Sequence, residues 1–353
     1  MCTGLRTFNY GNLLFGRNLD YEFSFKEDVV IVPRKYELKY RFLKPNKDHY
    51  AFLGIAHIED EYPLFYDGMN EKGLCIAGLN FVGYTFYNEN NNDKKKNIAQ
   101  FEFIPYVLSM FSSVDELLKH VSTLNVTNTS FSDLLPCAEL HYLISDKDKC
   151  IVLEFMKDGL KIYDNPVGVL TNNPPFNIQL FNLNNYSSLS NKNPIHFFPY
   201  NNIKDYSRGM GSIGLPGDPS SMGRFVKACF VLNNSIFDKN DHIKNINQFF
   251  HCLSSIEQQV GVAEVKNSKF EYTIYSNCYS SLELSMYYKT YTNNQISVVS
   301  LNNVNLNSTN LFVYPLKEKE NIYYQICDCL NIKKIKIIKI FEKKSQRKSV
   351  KKY

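Results

Sequence analysis

The sequence predicts a layered α+β domain in which helices pack on antiparallel sheets. Three observations lead there. The elements read in the order strands, helices, strands, helices, strands, which is not the regular βαβ alternation of a doubly wound parallel sheet. The spacing of apolar residues changes along the chain between the strand and the helix period. Finally, 353 residues at 44% hydrophobic content suffice for one large domain with a substantial core, or for two smaller ones.

Taken in order, the first 80 residues read as strands and turns. Leu13–Phe15 leads into Gly16-Arg17-Asn18, and the β-branched run Val29–Val32 ends at Pro33. Tyr50–Ile58 and Gly73–Asn80 are further strand signals. The Asn-, Asp- and Lys-rich run Asn88–Asn97 reads as an exposed loop. Phe103, Ile104, Val107, Leu108 and Phe111 repeat at helical spacing over Phe101–Phe111. Ser113-Val114-Asp115-Glu116 matches a capping box and opens a helix running to about Leu124. Strands return at Leu140–Ser145, Ile151–Phe155, Gly159–Asp164 and Val167–Leu170. A long polar segment, Asn172–Asp218, shows little periodicity; loops of that length are usually functional. Helices follow near Ser221–Leu232 and Ile243–Ile256, then two or three strands between Phe270 and Ser300. With no internal repeat and no composition break before about residue 315, the expectation is one domain, 2–317, and a basic extension, 318–353.

Charge is unevenly spread. Between Asn331 and Tyr353 there are ten Lys or Arg and one acid, so the rest of a chain whose formal charge is +5 is mildly acidic. The body gives no reason to expect nucleic acid. Nine cysteines build neither a zinc pattern nor a compact disulfide framework, and Cys327-x-Cys329 is an isolated pair. Their odd number and scatter suit a reducing compartment. Residues 1–25 lack the apolar core of a signal peptide, and no apolar run is long enough to span a bilayer. A cytoplasmic chain without metal or organic cofactor is expected.

The chemistry begins at Cys2. A small residue after the initiator lets Met1 be cleaved, leaving a thiol and a free α-amine on one residue. An α-amine has a reference pKa of about 7.7–8.0, so it can serve as a base near neutrality beside a strong nucleophile. Arg17, near a thiol, favours thiolate. Asp20, near an amine, would hold it and steady its cation. On its own, the Arg17–Asp20 pair also reads as a surface ion pair, which is very common and worth little.

Met1-Cys2-Thr3-Gly4 followed by Phe15-Gly16-Arg17-Asn18-Leu19-Asp20 resembles the choloylglycine hydrolase family, which includes bile salt hydrolases and penicillin V acylases. The similarity continues through Asp67-Gly68-Met69-Asn70-Glu71-Lys72-Gly73-Leu74 and Ala77-Gly78-Leu79-Asn80-Phe81. It extends through Gly168-Val169-Leu170-Thr171-Asn172-Asn173-Pro174 and Gly214-Leu215-Pro216-Gly217-Asp218, with Arg224-Phe225 shortly after. The resemblance implies the four-layer αββα fold of N-terminal-nucleophile hydrolases. It implies that Cys2 is nucleophile and, through its amine, base; that Arg17 and Asp20 flank it; and that Arg224 supports the Cys2–Asp20 cluster. Asn80 would lend a backbone N–H, and Asn172 a side-chain amide, to the oxyanion. Fixed neutral donors suit that task.

The same resemblance implies a small-molecule conjugated bile acid as substrate, cleaved to release glycine or taurine. Asn80 stands where a penicillin-cleaving branch tends to have Tyr. Leu19, Phe131, Leu135 and Leu140 are the expected apolar lining of the steroid pocket. Phe176, Phe181, Tyr186, Phe197, Phe198 and Tyr200 mark Asn172–Asp218 as an interface, in keeping with the family's homotetramer. The alternatives are a penicillin V acylase or related amidase, an inactive scaffold, or a membrane-surface binder acting through Ile332, Ile335, Ile338 and Phe341 of the basic tail.

Overall fold

The computed structural model describes residues 1–89, 95–195 and 204–325. The chain divides into Met1–Lys319 and Glu320–Tyr353. The tail pattern Ile332, Ile335, Ile338 and Phe341, the Cys327/Cys329 pair and the aromatics Phe197, Phe198 and Tyr200 all lie outside the described residues.

The first unit is built on two antiparallel sheets. Strands β1 (Cys2–Asn9) and β2 (Asn12–Tyr21) form a hairpin in one sheet; β3 (Asp28–Val32), β4 (Phe52–Glu59), β5 (Tyr62–Asn70) and β6 (Cys75–Asn80) belong to the other. A short parallel pair, β7 (Lys96–Ala99) and β8 (Leu124–Thr127), frames helices α1 (Phe103–Met110) and α2 (Val114–His120). Then come β9 (Leu140–Ser145), β10 (Cys150–Met156), β11 (Gly159–Asp164) and β12 (Val169–Leu170). Helices α3 (Phe176–Asn182), α4 (Ser221–Asn234) and α5 (His242–Ser254) precede β13 (Ala263–Lys266), β14 (Lys269–Ser280), β15 (Ser285–Thr290), β16 (Asn293–Ser300) and β17 (Phe312–Pro315).

One sheet runs β12-β1-β2-β14-β15-β16, with β13 on β14. The other runs β11-β10-β9-β6-β5-β4-β3-β17. Their facing sides share a core in which Phe15 and Leu19 meet Ile55, Met69, Leu79 and Leu143. On the outer side of the second sheet, Phe103, Val107 and Leu117 of α1 and α2 pack with Ile76, Tyr142 and Ile151. Phe225, Phe249 and Leu253 of α4 and α5 cover the first sheet. This is the four-layer αββα sandwich that the motifs imply.

Most expected elements stand within a few residues of their bounds, and the departures have physical reasons. β2 continues through Gly16-Arg17-Asn18, because a Cβ at residue 16 would sit 1.9 Å from the Asn277 carbonyl; only glycine lets β14 approach. The N-cap of α2 is Ser113, whose hydroxyl accepts from Glu116 N–H, but Glu116 reaches the backbone and hydroxyl of Ser112 instead of closing the box on Ser113. Of the exposed-loop reading of Asn88–Asn97, residues 90–94 lie outside the described residues, and at its end Lys96 and Asn97 enter β7. Within Asn172–Asp218, Phe176 opens α3 and is fully buried, so it belongs to the core and not to an interface.

Candidate active site

Cys2 opens β1, which runs between β2 and β12, and its register partner is Leu19. Met1 extends this strand. Its nitrogen donates to the Asp20 carbonyl at 2.9 Å and its carbonyl accepts from Asp20 N–H at 3.0 Å. The Met1 ammonium is paired with the Glu271 carboxylate at 2.5 Å. Cys2 is therefore buried, and its nitrogen is an amide N–H that donates to Asn172 Oδ1 at 2.8 Å.

Arg224, in the first turn of α4, ties the site together. The turn is set by Ser220, whose hydroxyl caps Gly223 N–H. Arg224 Nη1 donates to the Cys2 carbonyl at 2.7 Å and to the Thr3 hydroxyl; Nη2 donates to Asn172 Oδ1 at 2.8 Å; Nε donates to the Pro219 carbonyl at 3.0 Å. A guanidinium can only donate, so Asn172 must turn its oxygen toward Arg224 and its NH₂ the other way. That NH₂ donates to the Asn80 carbonyl at 2.8 Å, which leaves one amide hydrogen for a ligand. Asn172 is held on its backbone too: its N–H donates to Ser221 Oγ, and its carbonyl accepts from Gln179 Nε2.

The orientation of Asn80 follows from ladder alternation. Phe81 N–H donates to Glu139 O across β6–β9, and Asn80 faces Leu140 in the neighbouring pair. In an antiparallel ladder such a residue turns both N–H and C=O away from its partner strand. The Asn80 carbonyl duly meets Asn172 on that side, and Gly78, two residues back, offers its carbonyl there to Arg17 Nη1 at 2.5 Å. One edge of β6 thus carries the Asn80 N–H and is reached by both Asn172 and Arg17.

Arg17 and Asp20 are fully buried on β2. Burial works against the Arg17 charge, but Cys2, Tyr275, Asp67 and Asp20 around it outweigh that, and its pKa is raised. Burial lifts the Asp20 carboxyl above its ordinary range, with Arg224, 4.0 Å from Oδ2, opposing. Asp20 Oδ1 accepts from Thr273 Oγ1 at 2.6 Å. Asp20 Oδ2 and Arg17 Nη2 have no hydrogen-bond partner although both are buried. Two unsatisfied polar atoms in one cluster mark a place where a further charged or polar group belongs.

Cys2 and the five residues expected around it therefore come together. Of the four expected pocket residues, Leu19 lies opposite Cys2 and Leu140 opposite Asn80. Phe131 packs instead on Phe101 and Tyr62, with ring centroids 5.2 and 5.6 Å away, and its carbonyl accepts from Arg41. Leu135 closes a turn onto Phe131 and Ser132. Neither is linked to Cys2 among the described contacts. Sequence reasoning passed over several supports: Thr3, Thr273, Gln179 and Ser221 above, and Asp67. Asp67 accepts from Tyr275 OH at 2.6 Å, Asn277 Nδ2 at 2.7 Å and Tyr279 OH, while Asn277 Oδ1 accepts the Arg17 N–H. Thr3 and Asp67 lie within the family motifs; Thr273, Gln179 and Ser221 carry no local signal.

The seven described cysteines are all free. Burial pushes six of them up: Cys137 and Cys150 to about 12, and Cys75, Cys229, Cys252 and Cys278 likewise upward. Only thiolates alkylate readily. At pH 7.5, brief iodoacetamide treatment of the mature chain should modify Cys2 and none of these six, as read by peptide mapping. Modification of Cys137 or Cys150 at the rate of Cys2 would contradict this picture.

Residues 2–314 match the profile of "Linear amide C-N hydrolases, choloylglycine hydrolase family". The chain is 52% identical over 324 residues to a "Bile salt hydrolase/transferase" of Lactiplantibacillus plantarum, covering 92% of this chain and 99% of the relative. It is similar in structure to the C2A mutant of a conjugated bile acid hydrolase from Clostridium perfringens, with TM-score 0.85, 36% identity, and coverage of 92% and 99%. A penicillin V acylase from Agrobacterium tumefaciens shares the fold at TM-score 0.72 and only 16% identity, over 89% of this chain and 90% of that one. The chain belongs to the choloylglycine hydrolase family of linear amide hydrolases.

Proposed function

We propose that the chain, once Met1 is removed, hydrolyses the amide bond of glycine- or taurine-conjugated bile acids. The observation that carries the mechanism is the Asn172 amide, oriented by Arg224 between the Cys2 nitrogen and the Asn80 carbonyl. The bile acid assignment is supported by 52% identity to a bile salt hydrolase across nearly the whole of both chains, and by Asn at position 80.

In this reading the Cys2 nitrogen becomes an amine when Met1 leaves. Its cation meets the unpartnered Asp20 Oδ2, and Arg17 Nη2 faces the thiolate or the bound substrate. The Cys2 sulfur attacks the substrate carbonyl carbon and its proton passes to the amine. Negative charge on the carbonyl oxygen is met by Asn80 N–H and the second Asn172 amide hydrogen. The tetrahedral species collapses, the C–N bond breaks, and the Cys2 ammonium protonates the departing nitrogen of glycine or taurine. Water then attacks the thioester, giving its proton to the amine; the bile acid leaves and the thiol is restored. These steps call on no cofactor.

Removing Asn172 takes away one oxyanion donor. Asn172→Ala should lower kcat by about 10²–10³ with a smaller change in KM, measured as amine release; an unchanged kcat would remove Asn172 from the oxyanion hole. The substrate assignment is tested by incubating mature protein with glycocholate, taurocholate and penicillin V. Faster release of glycine or taurine is expected. Preference for penicillin V, or no turnover of any of them, would overturn the reading.

Leu19, the register partner of Cys2, lines the steroid pocket in this proposal, together with Phe131, Leu135 and Leu140. Residues 2–317 are its catalytic domain and 318–353 an appended basic extension. A homotetramer has an available apolar face in Ile178 and Phe181 of α3, the latter 74% exposed. A cytoplasmic site of action is supported by the free described thiols. Among the described residues, no helix is long and apolar enough to cross a membrane.

A further inference from the structure

Beside the site lies a buried ionisable pair that the chemistry above does not use. His141 of β9 and Glu154 of β10 are register partners, and both side chains are fully buried. His141 Nδ1 stands 3.1 Å from Glu154 Oε1, and Nε2 stands 2.8 Å from the Thr171 carbonyl oxygen. The same Glu154 oxygen accepts the Phe176 N–H at 2.9 Å. Thr171 and Phe176 bracket the segment that carries Asn172. The imidazole also stacks on Phe81, with centroids 4.3 Å apart and planes 7° from parallel. Phe81 directly follows Asn80. One imidazole thus touches the chain neighbour of each oxyanion donor.

The protons can be counted from the partners. A carbonyl oxygen only accepts, so Nε2 carries hydrogen. One further proton lies between Nδ1 and Oε1, on the ring or on the carboxyl. Either arrangement is net neutral and keeps all three hydrogen bonds. Without that proton, a ring lone pair would face a carboxylate oxygen 3.1 Å away, at a fully buried site where an uncompensated charge is strongly disfavoured.

We propose that His141 and Glu154 are positioning residues: a two-proton, net-neutral clamp that fixes residues 171–176 and thereby holds the Asn172 amide on the developing oxyanion. This rests on the hydrolase reading above. A donor displaced by about 1 Å can cost on the order of 10²-fold in rate, so the clamp should act on kcat and leave both the Cys2 thiol and substrate affinity alone.

Glu154→Gln keeps the shape of the pair and changes its proton count. A Gln oxygen at this point can accept the Phe176 N–H, but it can accept from His141 only if the ring becomes an unpaired buried cation. A Gln NH₂ there would donate to Nδ1 and confront the Phe176 N–H. One of the three bonds is lost either way. In His141→Gln/Glu154→Gln the two amides can restore all three: residue 141 donates to the Thr171 carbonyl and to the residue 154 oxygen, which also accepts from Phe176. The test compares the mature full-length parent, both single variants and the double variant with taurocholate. It reads kcat, KM and the rate of Cys2 alkylation by iodoacetamide. For Glu154→Gln, kcat should fall about 10- to 100-fold, with KM within about threefold, alkylation within about twofold, and about fivefold or more of the loss recovered in the double variant. A Glu154→Gln kcat within about twofold of the parent overturns the inference. So does a parallel loss of kcat and alkylation, which would make the pair merely structural, or a double variant no better than the single. Absence of turnover by the parent would instead sink the hydrolase reading, and this inference with it.

Discussion

Replacing Cys2 by Ala is expected to abolish deconjugation of glycocholate and taurocholate, lowering kcat by about 10⁴-fold or more. The substitution deletes one buried sulfur and keeps the α-amine, the strand and every hydrogen bond in which Cys2 takes part, since those use its nitrogen and carbonyl. The fold should therefore survive, and the loss can be assigned to the nucleophile. Cys2→Ser should retain a trace of activity, because the hydroxyl is a poorer nucleophile in an unchanged frame. Amine release over hours, with circular dichroism as the fold control, reads both variants. Parent-like turnover by Cys2→Ala would place the chemistry elsewhere.

The second large effect needs no substitution. A chain that keeps Met1 should have about 10⁻³ or less of the kcat of the processed chain, although every side chain of the site is in place. The reason is visible at the nitrogen. With Met1 present, the Cys2 nitrogen is an amide that donates its hydrogen to Asn172 and has no basic lone pair. Met1 is meanwhile paired to Asp20 along the strand and to Glu271 through its ammonium. Where a preparation contains both forms, the fraction lacking Met1 by intact mass should equal the active fraction by thiol titration. Activity that does not track processing would show that another group serves as base.

Much of this was legible in the sequence, for reasons that can be named. The strands β9 to β11 declare themselves by apolar runs broken at turns, and α2 by Ser113, whose side chain caps a free N–H group; the caps of α4 and α5, Ser220 and Asp241, emerge only in the structure. Cys2, Arg17 and Asp20 sit close in sequence because β1 and β2 form one hairpin, so the inner site is nearly a local motif. Asn80, Asn172 and Arg224 come from distant elements, and in a chain rich in Asn only the family motifs single them out.

What was not legible is the layer that holds those residues. Thr273 reaches Asp20 across 253 positions, Tyr275 reaches Asp67 across 208, and His141 reaches Thr171 across 30. Such pairs depend on which sheet edges meet, and no periodicity encodes that. Phe176 shows the same limit from the other side. An aromatic in a polar stretch reads as surface, whereas one short helix turns it into the core against Phe225 and Tyr163. Phe131 likewise finds Tyr62 and Phe101 as partners, because its loop folds back on α1's lead-in.

The central claim is that the processed Cys2 carries the acyl group. The direct measurement is acid quench of the mature enzyme during turnover of taurocholate, followed by peptide mapping by mass spectrometry. A cholyl thioester on the N-terminal peptide beginning at Cys2, with Met1 absent, is the predicted result. An acyl group on any other residue, or on a chain that still carries Met1, would contradict it.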